Sequence, residues 1–340
     1  MKISKGLGDL SEQTLRFNRQ IGVEAVGLPG GWSTAPRHSR PHVPPPQRGP
    51  AGPPGKVWDV EELRRMRART AQFGLEATSK ALPLSGAILL GRPSRDKDLD
   101  TIRHDIRVAG EAGLSVLTYS FTALRASEGY YSLDGGGRGG AHLRAFDNNR
   151  IKDLPPIESV GTHTREQMWE RLEYFLRAVV PTAEEAGLAL ALHPNDPPVE
   201  VFRGVGQPVR SLTDLRRVVE TVDSPANCIY LDTGVLTEMG EDAPAAIRWF
   251  GGRRRIGTVH FRNVIVQRPY DEYVETFLDA GECDMATCMR AFAEVGYDRD
   301  LDPDHSPGFD GDTVDTHIGW AYAIGQMLGL RAAALSELGQ

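Results

Sequence analysis

The sequence predicts a (β/α)8 TIM barrel: a single domain over residues 1–340, with long loop insertions at the catalytic face. Three observations carry this expectation. A short apolar strand, an amphipathic helix and a closing glycine recur along the chain with few interruptions, the pattern of parallel strands joined by crossover helices. Eight candidate strands and eight candidate helices can be counted, the number at which this unit closes on itself. The last four strands each end in a residue suited to ligation, namely His193, Asp232, His260 and Asp304. In a barrel, consecutive strand ends lie side by side around one mouth. A doubly wound open sheet is the alternative, and it gathers four consecutive ends less well.

The elements follow in order. Residues 3–7 read as the first strand and 11–20 as a helix with Ser11 as N-cap. Residues 24–28 are the second strand. Residues 30–55 form a Pro-rich loop insertion holding Pro44-Pro45-Pro46, Pro53-Pro54, His38 and His42. Such a composition cannot pack a core and reads as an extended surface segment, with a lid over the site as its functional reading. Asp59 and Glu62 have the spacing of a capping box and start a helix that Gly74 ends. Residues 75–79 are the third strand, 95–112 a helix and 114–119 the fourth strand.

A second insertion, Gly-rich, spans 127–157 and contains Gly135-Gly136-Gly137-Arg138-Gly139-Gly140. These glycines satisfy GxGxxG, but no strand leads in and no helix clearly follows, so no dinucleotide site is expected. A mobile loop whose backbone approaches a ligand is. Thr164 and Gln167 open the longest helix, to residue 186; Trp169, Leu172, Phe175, Leu176 and Val179 form its core stripe, and Pro181 implies a kink. The fifth strand runs to His193. Then come a helix at 211–222, a strand at 228–231 ending at Asp232, a helix at 244–250 and a strand at 256–259 ending at His260. A helix at 284–295, a weak strand at 299–301 leading to Asp304, and a helix at 316–330 complete the chain.

Composition narrows the function classes. A content of 40% hydrophobic and 25% charged residues is that of a soluble globular protein. A net charge of -7 argues against nucleic acid as a partner. No apolar run is long enough to span a membrane or serve as a signal peptide, so no membrane association is expected. The three cysteines form no CxxC pair, which fits a reducing, cytoplasmic location.

Two imidazoles and two carboxylates suit a divalent cation, Mn²⁺ first, with Mg²⁺, Fe²⁺ or Co²⁺ less favoured, and leave positions open for substrate oxygens. Arg262 and Asn263 directly follow His260; a guanidinium there could clamp a carboxylate and an amide could bind a hydroxyl, unless the arginine serves only a strand-end salt bridge. His305 follows Asp304 and has the position of a general acid or base, with a structural hydrogen bond as the plainer reading. Asp196 could orient His193 or bind sugar hydroxyls.

Several segments carry a resemblance. Residues 169–176 (WERLEYFL), 181–187 (PTAEEAG), 193–198 (HPNDPP), 260–263 (HFRN), 281–285 (GECDM) and 303–305 (PDH) are similar to the mannonate dehydratase family, and the likeness is strongest after Thr164. The resemblance implies a xylose-isomerase-like barrel, a Mn²⁺-type metal, a homo-oligomer, a sugar-acid substrate and dehydration of D-mannonate to 2-keto-3-deoxygluconate. It makes His193, His260 and Asp304 metal ligands and His305 the catalytic histidine. Asp232 stands where the family usually has a cysteine, and Asp302 where it has an arginine. The alternatives are a sugar isomerase or epimerase on the same metal, and a non-catalytic sugar-binding relative.

Overall fold

The computed structural model describes residues 1–34, 57–124, 127–313 and 315–339. Most of the Pro-rich insertion, with His38 and His42, lies outside the described residues. The chain opens with β1 (Lys2–Gly6), α1 (Glu12–Gln20), β2 (Ala25–Leu28), α2 (Val60–Ala71), β3 (Glu76–Ala81), α3 (Gly86–Leu90), α4 (Arg95–Glu111) and β4 (Val116–Ser120). It continues through β5 (Tyr130–Leu133), β6 (Leu143–Asp147), α5 (Arg165–Glu185), β7 (Ala189–His193), β8 (Val201–Phe202), β9 (Val205–Gly206), α6 (Leu212–Thr221) and β10 (Asn227–Asp232). Then follow α7 (Thr233–Glu238), α8 (Ala243–Gly251), β11 (Ile256–His260), β12 (Asn263–Arg268), β13 (Glu272–Thr276), α9 (Met285–Glu294), β14 (Asp300–Asp302) and α10 (His317–Glu337).

Eight of these strands close into a parallel barrel in the order β1-β14-β11-β10-β7-β4-β3-β2. Local chemistry sets the helix starts. Ser11, Asp59, Ser211 and Asp284 each accept a backbone N–H from the first turn of the helix they precede, and Thr164 and Gln167 form the reciprocal capping box. Gly187, at φ +68°, turns the end of α5 into β7. Alternation then sorts the strand. Leu190 and Leu192 join the main core, while Ala189 and Ala191 pack with Val116, Cys228 and Tyr230 in a separate small cluster within the barrel.

Register decides what meets at the mouth. β7 pairs with β4 so that His193 lies opposite Ser120, and β10 pairs with β11 so that Asp232 lies opposite His260. β10 pairs with β7 so that Ile229 lies opposite Leu192, which sets His193 two residues short of Asp232; the three candidate ligands thus stand at the ends of three adjacent strands, with His193 the lower of them.

The 127–157 insertion differs from the mobile glycine loop expected. It contains β5 and β6, which join β12 and β13 in a four-stranded antiparallel sheet of order β12-β13-β6-β5. Two distant parts of the chain thus build one wall beside the mouth. Two short helices, α3 and α7, also add to the eight expected, because five or six residues carry too little periodicity to announce a helix.

Phe175 anchors α5 to the barrel. It is fully buried, tilted against Tyr119 at 5.2 Å and Phe121 at 5.9 Å. Phe175→Ala should lower unfolding free energy by about 3–5 kcal/mol in chemical denaturation, since both transfer and cavity terms are lost. A loss below about 1 kcal/mol would show that the α5 stripe is not a tight core.

Candidate metal centre and active site

The ends of β7, β10 and β11 form a compact triangle of donor atoms. His193 Nε2 lies 3.1 Å from His260 Nδ1, and both lie 3.3 Å from Asp232 Oδ2. Each donor is held from behind. His193 Nδ1 is 2.8 Å from the Pro194 carbonyl oxygen. Asp232 Oδ1 caps α7 by accepting the Val235 N–H at 2.8 Å, and its Oδ2 accepts Arg262 Nε–H at 3.0 Å. Burial would push the Asp232 carboxyl up, but Arg262 and the two imidazoles hold it well below the usual carboxylate range.

Asp304 stands beside the triangle and not within it. Its Oδ1 is 3.3 Å from His260 Nε2, on the opposite edge of that ring from Nδ1, and its Oδ2 is 3.3 Å from both Arg262 Nε and His305 Nδ1. Asp304 has φ +57°, a left-handed conformation uncommon for a residue with a Cβ. Asp302 fixes that turn: its carboxylate accepts the Asp304 N–H at 2.8 Å and the Gly6 N–H at 2.7 Å. The acid at 302 therefore ties β14 to β1 and shapes the turn.

Arg262, expected to clamp a substrate carboxylate or else to serve a strand-end salt bridge, is engaged in ion pairs within the protein. It is 2% exposed, and carboxylates surround it. Nε meets Asp232, Nη1 meets Glu238 at 2.8 Å and Glu275 at 3.7 Å, and Nη2 meets Asp196 at 3.0 Å. Thr233 holds its backbone, and Gly234 makes room for its side chain, since a Cβ there would come within 2.8 Å of it. Asp196 is likewise committed. Its Oδ1 accepts Tyr130 Oη–H at 2.5 Å and Tyr273 Oη–H at 2.9 Å. Asn263 is also corrected. Its amide donates to the Leu278 and Cys283 carbonyls and accepts the Val264 and Cys283 N–H groups, so it pins the 278–283 loop with no polar valence left for a hydroxyl.

Beyond the triangle lies a small cleft lined by Arg144, Arg262, Asn263, Glu275, Thr276, His305 and Ser306. His305 Nδ1 is 2.9 Å from Glu275 Oε2, and Arg144 Nη1 is 2.8 Å from Glu275 Oε1. Burial opposes charge on the His305 ring, but Asp304 and Glu275 outweigh it and raise its pKa. Burial would raise Glu275, and Arg144, His305 and Arg262 instead depress it strongly. Burial pushes the Glu238 carboxyl well above its normal range despite Arg262, and its Oε2 has no hydrogen-bond partner among the described residues. Arg144, Tyr130, Tyr273, Glu238 and Glu275 were all missed in the sequence. The alternation Tyr273-Val274-Glu275 was the available signal for the last strand of the wall.

The triangle fits a divalent metal. Cis ligands at ~2.1 Å from an octahedral ion stand about 3 Å apart, close to the separations seen here. Five carboxylates, Asp196, Asp232, Glu238, Glu275 and Asp304, face two guanidiniums, Arg144 and Arg262. Added positive charge at the triangle is therefore favourable.

Comparison with known proteins decides the family. The model of D-mannonate dehydratase (UxuA) matches residues 50–163 and 146–337. The chain belongs to the mannonate dehydratase family. The Enterococcus faecalis mannonate dehydratase is 31% identical over 285 residues, covering 74% of this chain and 79% of that protein. Mannonate dehydratase 2 of Halalkalibacterium halodurans is 27% identical, covering 74% and 79%. The crystal structure of mannonate dehydratase from Streptococcus suis serotype 2 superposes with a TM-score of 0.82 at 25% identity, covering 100% of this chain and 96% of that one. An L-ribulose 3-epimerase structure, at TM-score 0.58 and 15% identity, shares the fold. Among the described residues no helix is long and apolar enough to cross a membrane.

Within this family member, Arg262 carries a clear expectation. Arg262→Leu should cost about 3–5 kcal/mol at neutral pH, because it leaves buried carboxylates unpaired. Those carboxyls would then take up protons as the pH falls, whereas Asp232 and Glu275, depressed in the native protein, stay ionised. Denaturation at pH 7 and about pH 5 should therefore show a narrower gap at the lower pH. An equal gap at both would mean the acids are not held by this cation.

Proposed function

We propose that the chain dehydrates D-mannonate to 2-keto-3-deoxygluconate and water, with a Mn²⁺-type cation held by His193, Asp232 and His260 and by Asp304 as fourth ligand. The observation that carries this reading is the donor triangle opening beside a pocket that holds an imidazole, a carboxylate and a guanidinium. Family membership supports the reaction, and the mixed nitrogen and oxygen donors support the metal class. Asp304 is supported by its closeness to His260 and by sharing Arg262 Nε with Asp232. Three cysteines in no framework support a cytoplasmic site of action.

The reaction removes a proton beside a carboxylate and expels the neighbouring hydroxyl. The cation, when bound, supplies Lewis-acid polarisation of the carboxylate and adjacent hydroxyl. The proton taken from the carbon beside the carboxylate passes to solvent, and the protein's own residues hold the substrate and protonate the leaving hydroxyl. Arg144 takes the clamp role expected of Arg262: it lines the pocket and lies over the Tyr130 ring at 3.7 Å, which keeps the guanidinium flat against the wall. His305, with its proton supported by Glu275 and Asp304, donates it to the departing hydroxyl. Arg262 touches no substrate in this scheme and fixes the acids around it.

Two measurements test the proposal. Chelated protein should lose dehydration of D-mannonate, followed as the keto-deoxy acid by mass, and Mn²⁺ should restore it. A product of unchanged mass would replace this reading with isomerisation or epimerisation, which Asp232 also suits. His305→Asn should lower kcat by about 10²–10⁴-fold while metal binding is kept, and a rate near that of the native protein would remove His305 from the chemistry.

A further inference from the structure

We propose that the two histidines hold the metal through different ring nitrogens, Nε2 of His193 and Nδ1 of His260, and that Tyr230 is the positioning residue that sets the second. The inference rests on the metal-dependent reading of the site, but it concerns binding and not turnover.

The assignment comes from what each ring meets on its far edge. His193 Nδ1 lies 2.8 Å from the Pro194 carbonyl, which can only accept, so Nδ1 carries the proton. The lone pair is left on Nε2, the atom that faces Asp232 and His260. His260 is turned the other way. Its Nδ1 faces the triangle, and its Nε2 meets the Tyr230 hydroxyl, with Asp304 Oδ1 at 3.3 Å. A phenol oxygen can accept and a carboxylate must, so Nε2 carries the proton and Nδ1 keeps its lone pair for the metal. Two histidines on neighbouring strands thus present opposite tautomers to one point.

Tyr230 makes this arrangement rigid. It sits two residues before Asp232 on β10 and so points to the same side of the strand. Its ring stands edge-on to His193 at 5.2 Å and 86°, and tilted on His260 at 4.1 Å and 46°. It forms the floor beneath both imidazoles and links them to the strand that carries the acid ligand. Its hydroxyl oxygen and Asp304 Oδ1 both face His260 Nε2, so the ring is held on that edge from two sides.

The test is Mn²⁺ titration of metal-free protein by calorimetry, with thermal unfolding of the same samples. Tyr230→Phe keeps the ring and removes the oxygen. It should weaken Mn²⁺ binding about 10–100-fold with the unfolding midpoint of the metal-free protein unchanged. Asparagine places an amide oxygen where Nδ1 stood, and glutamine places one where Nε2 stood. His260→Asn should therefore bind Mn²⁺ more tightly than His260→Gln, and His193→Gln more tightly than His193→Asn. Native Mn²⁺ affinity in Tyr230→Phe would overturn the role of the phenol, and the reverse order in either histidine pair would overturn the nitrogen assignment. Tyr230→Phe remains decisive if a histidine variant does not fold. The expected affinities in a protein that does not dehydrate mannonate would leave this inference standing and remove the proposed reaction. Dehydration with the reverse order would do the opposite.

Discussion

One buried cation organises the mouth of this barrel. Arg262 brings its guanidinium against acids from the loop after β7, the end of β10, helix α7, strand β13 and the turn after β14. Placing one of these acids alone in that interior would be costly, and placing them together without the cation more so. With the guanidinium present, each carboxylate has a fixed partner and a fixed direction. Asp232 is the clearest case. One of its oxygens caps a helix and the other faces both Arg262 and the two imidazoles, so its rotamer is set without help from a metal. The small ordering cost left for the ion favours tight binding.

The site divides along the fold. Parallel strand ends supply the candidate metal donors His193, Asp232 and His260. The antiparallel sheet lines the pocket through Arg144, Glu275 and Thr276, and its Tyr130 and Tyr273 hold Asp196. The two halves meet at Glu275, which pairs with His305 from the barrel and Arg144 from the wall. That single acid couples the group proposed to move a proton to the group proposed to hold the substrate carboxylate.

What could be seen in the sequence follows from what leaves a periodic trace. The barrel was visible because Leu190 and Leu192 alternate with alanines and end at His193, and the same grammar recurs at Asp232 and His260. The wall was hidden. Glycines at 135–140 masked the strands on either side, and β12 begins one residue after Phe261–Arg262, where the pattern reads as a strand end. Burial leaves no local mark either, so Arg262, Asn263 and Asp196 read as binding groups when they are committed to partners within the protein. Asp302 looked like a reversed charge near the metal and is a bracket for two backbone N–H groups.

The wall sheet has two unlike faces. Tyr131, Leu133, Leu143, Ala145 and Val274 form a small apolar cluster on one side, while Tyr130, Arg144, Tyr273 and Glu275 alternate with them toward the site. Neither hairpin carries a metal donor. A lineage could therefore exchange side chains on the site-facing positions of this sheet and change which polyhydroxy acid it accepts, with the ion and its chemistry inherited intact. The freedom stops at three places: the hydroxyls of Tyr130 and Tyr273, which hold Asp196, and the acid at 275. Arg144, paired with that acid, is bound by the same limit, so exchange is confined to the sheet's remaining positions around an otherwise locked centre.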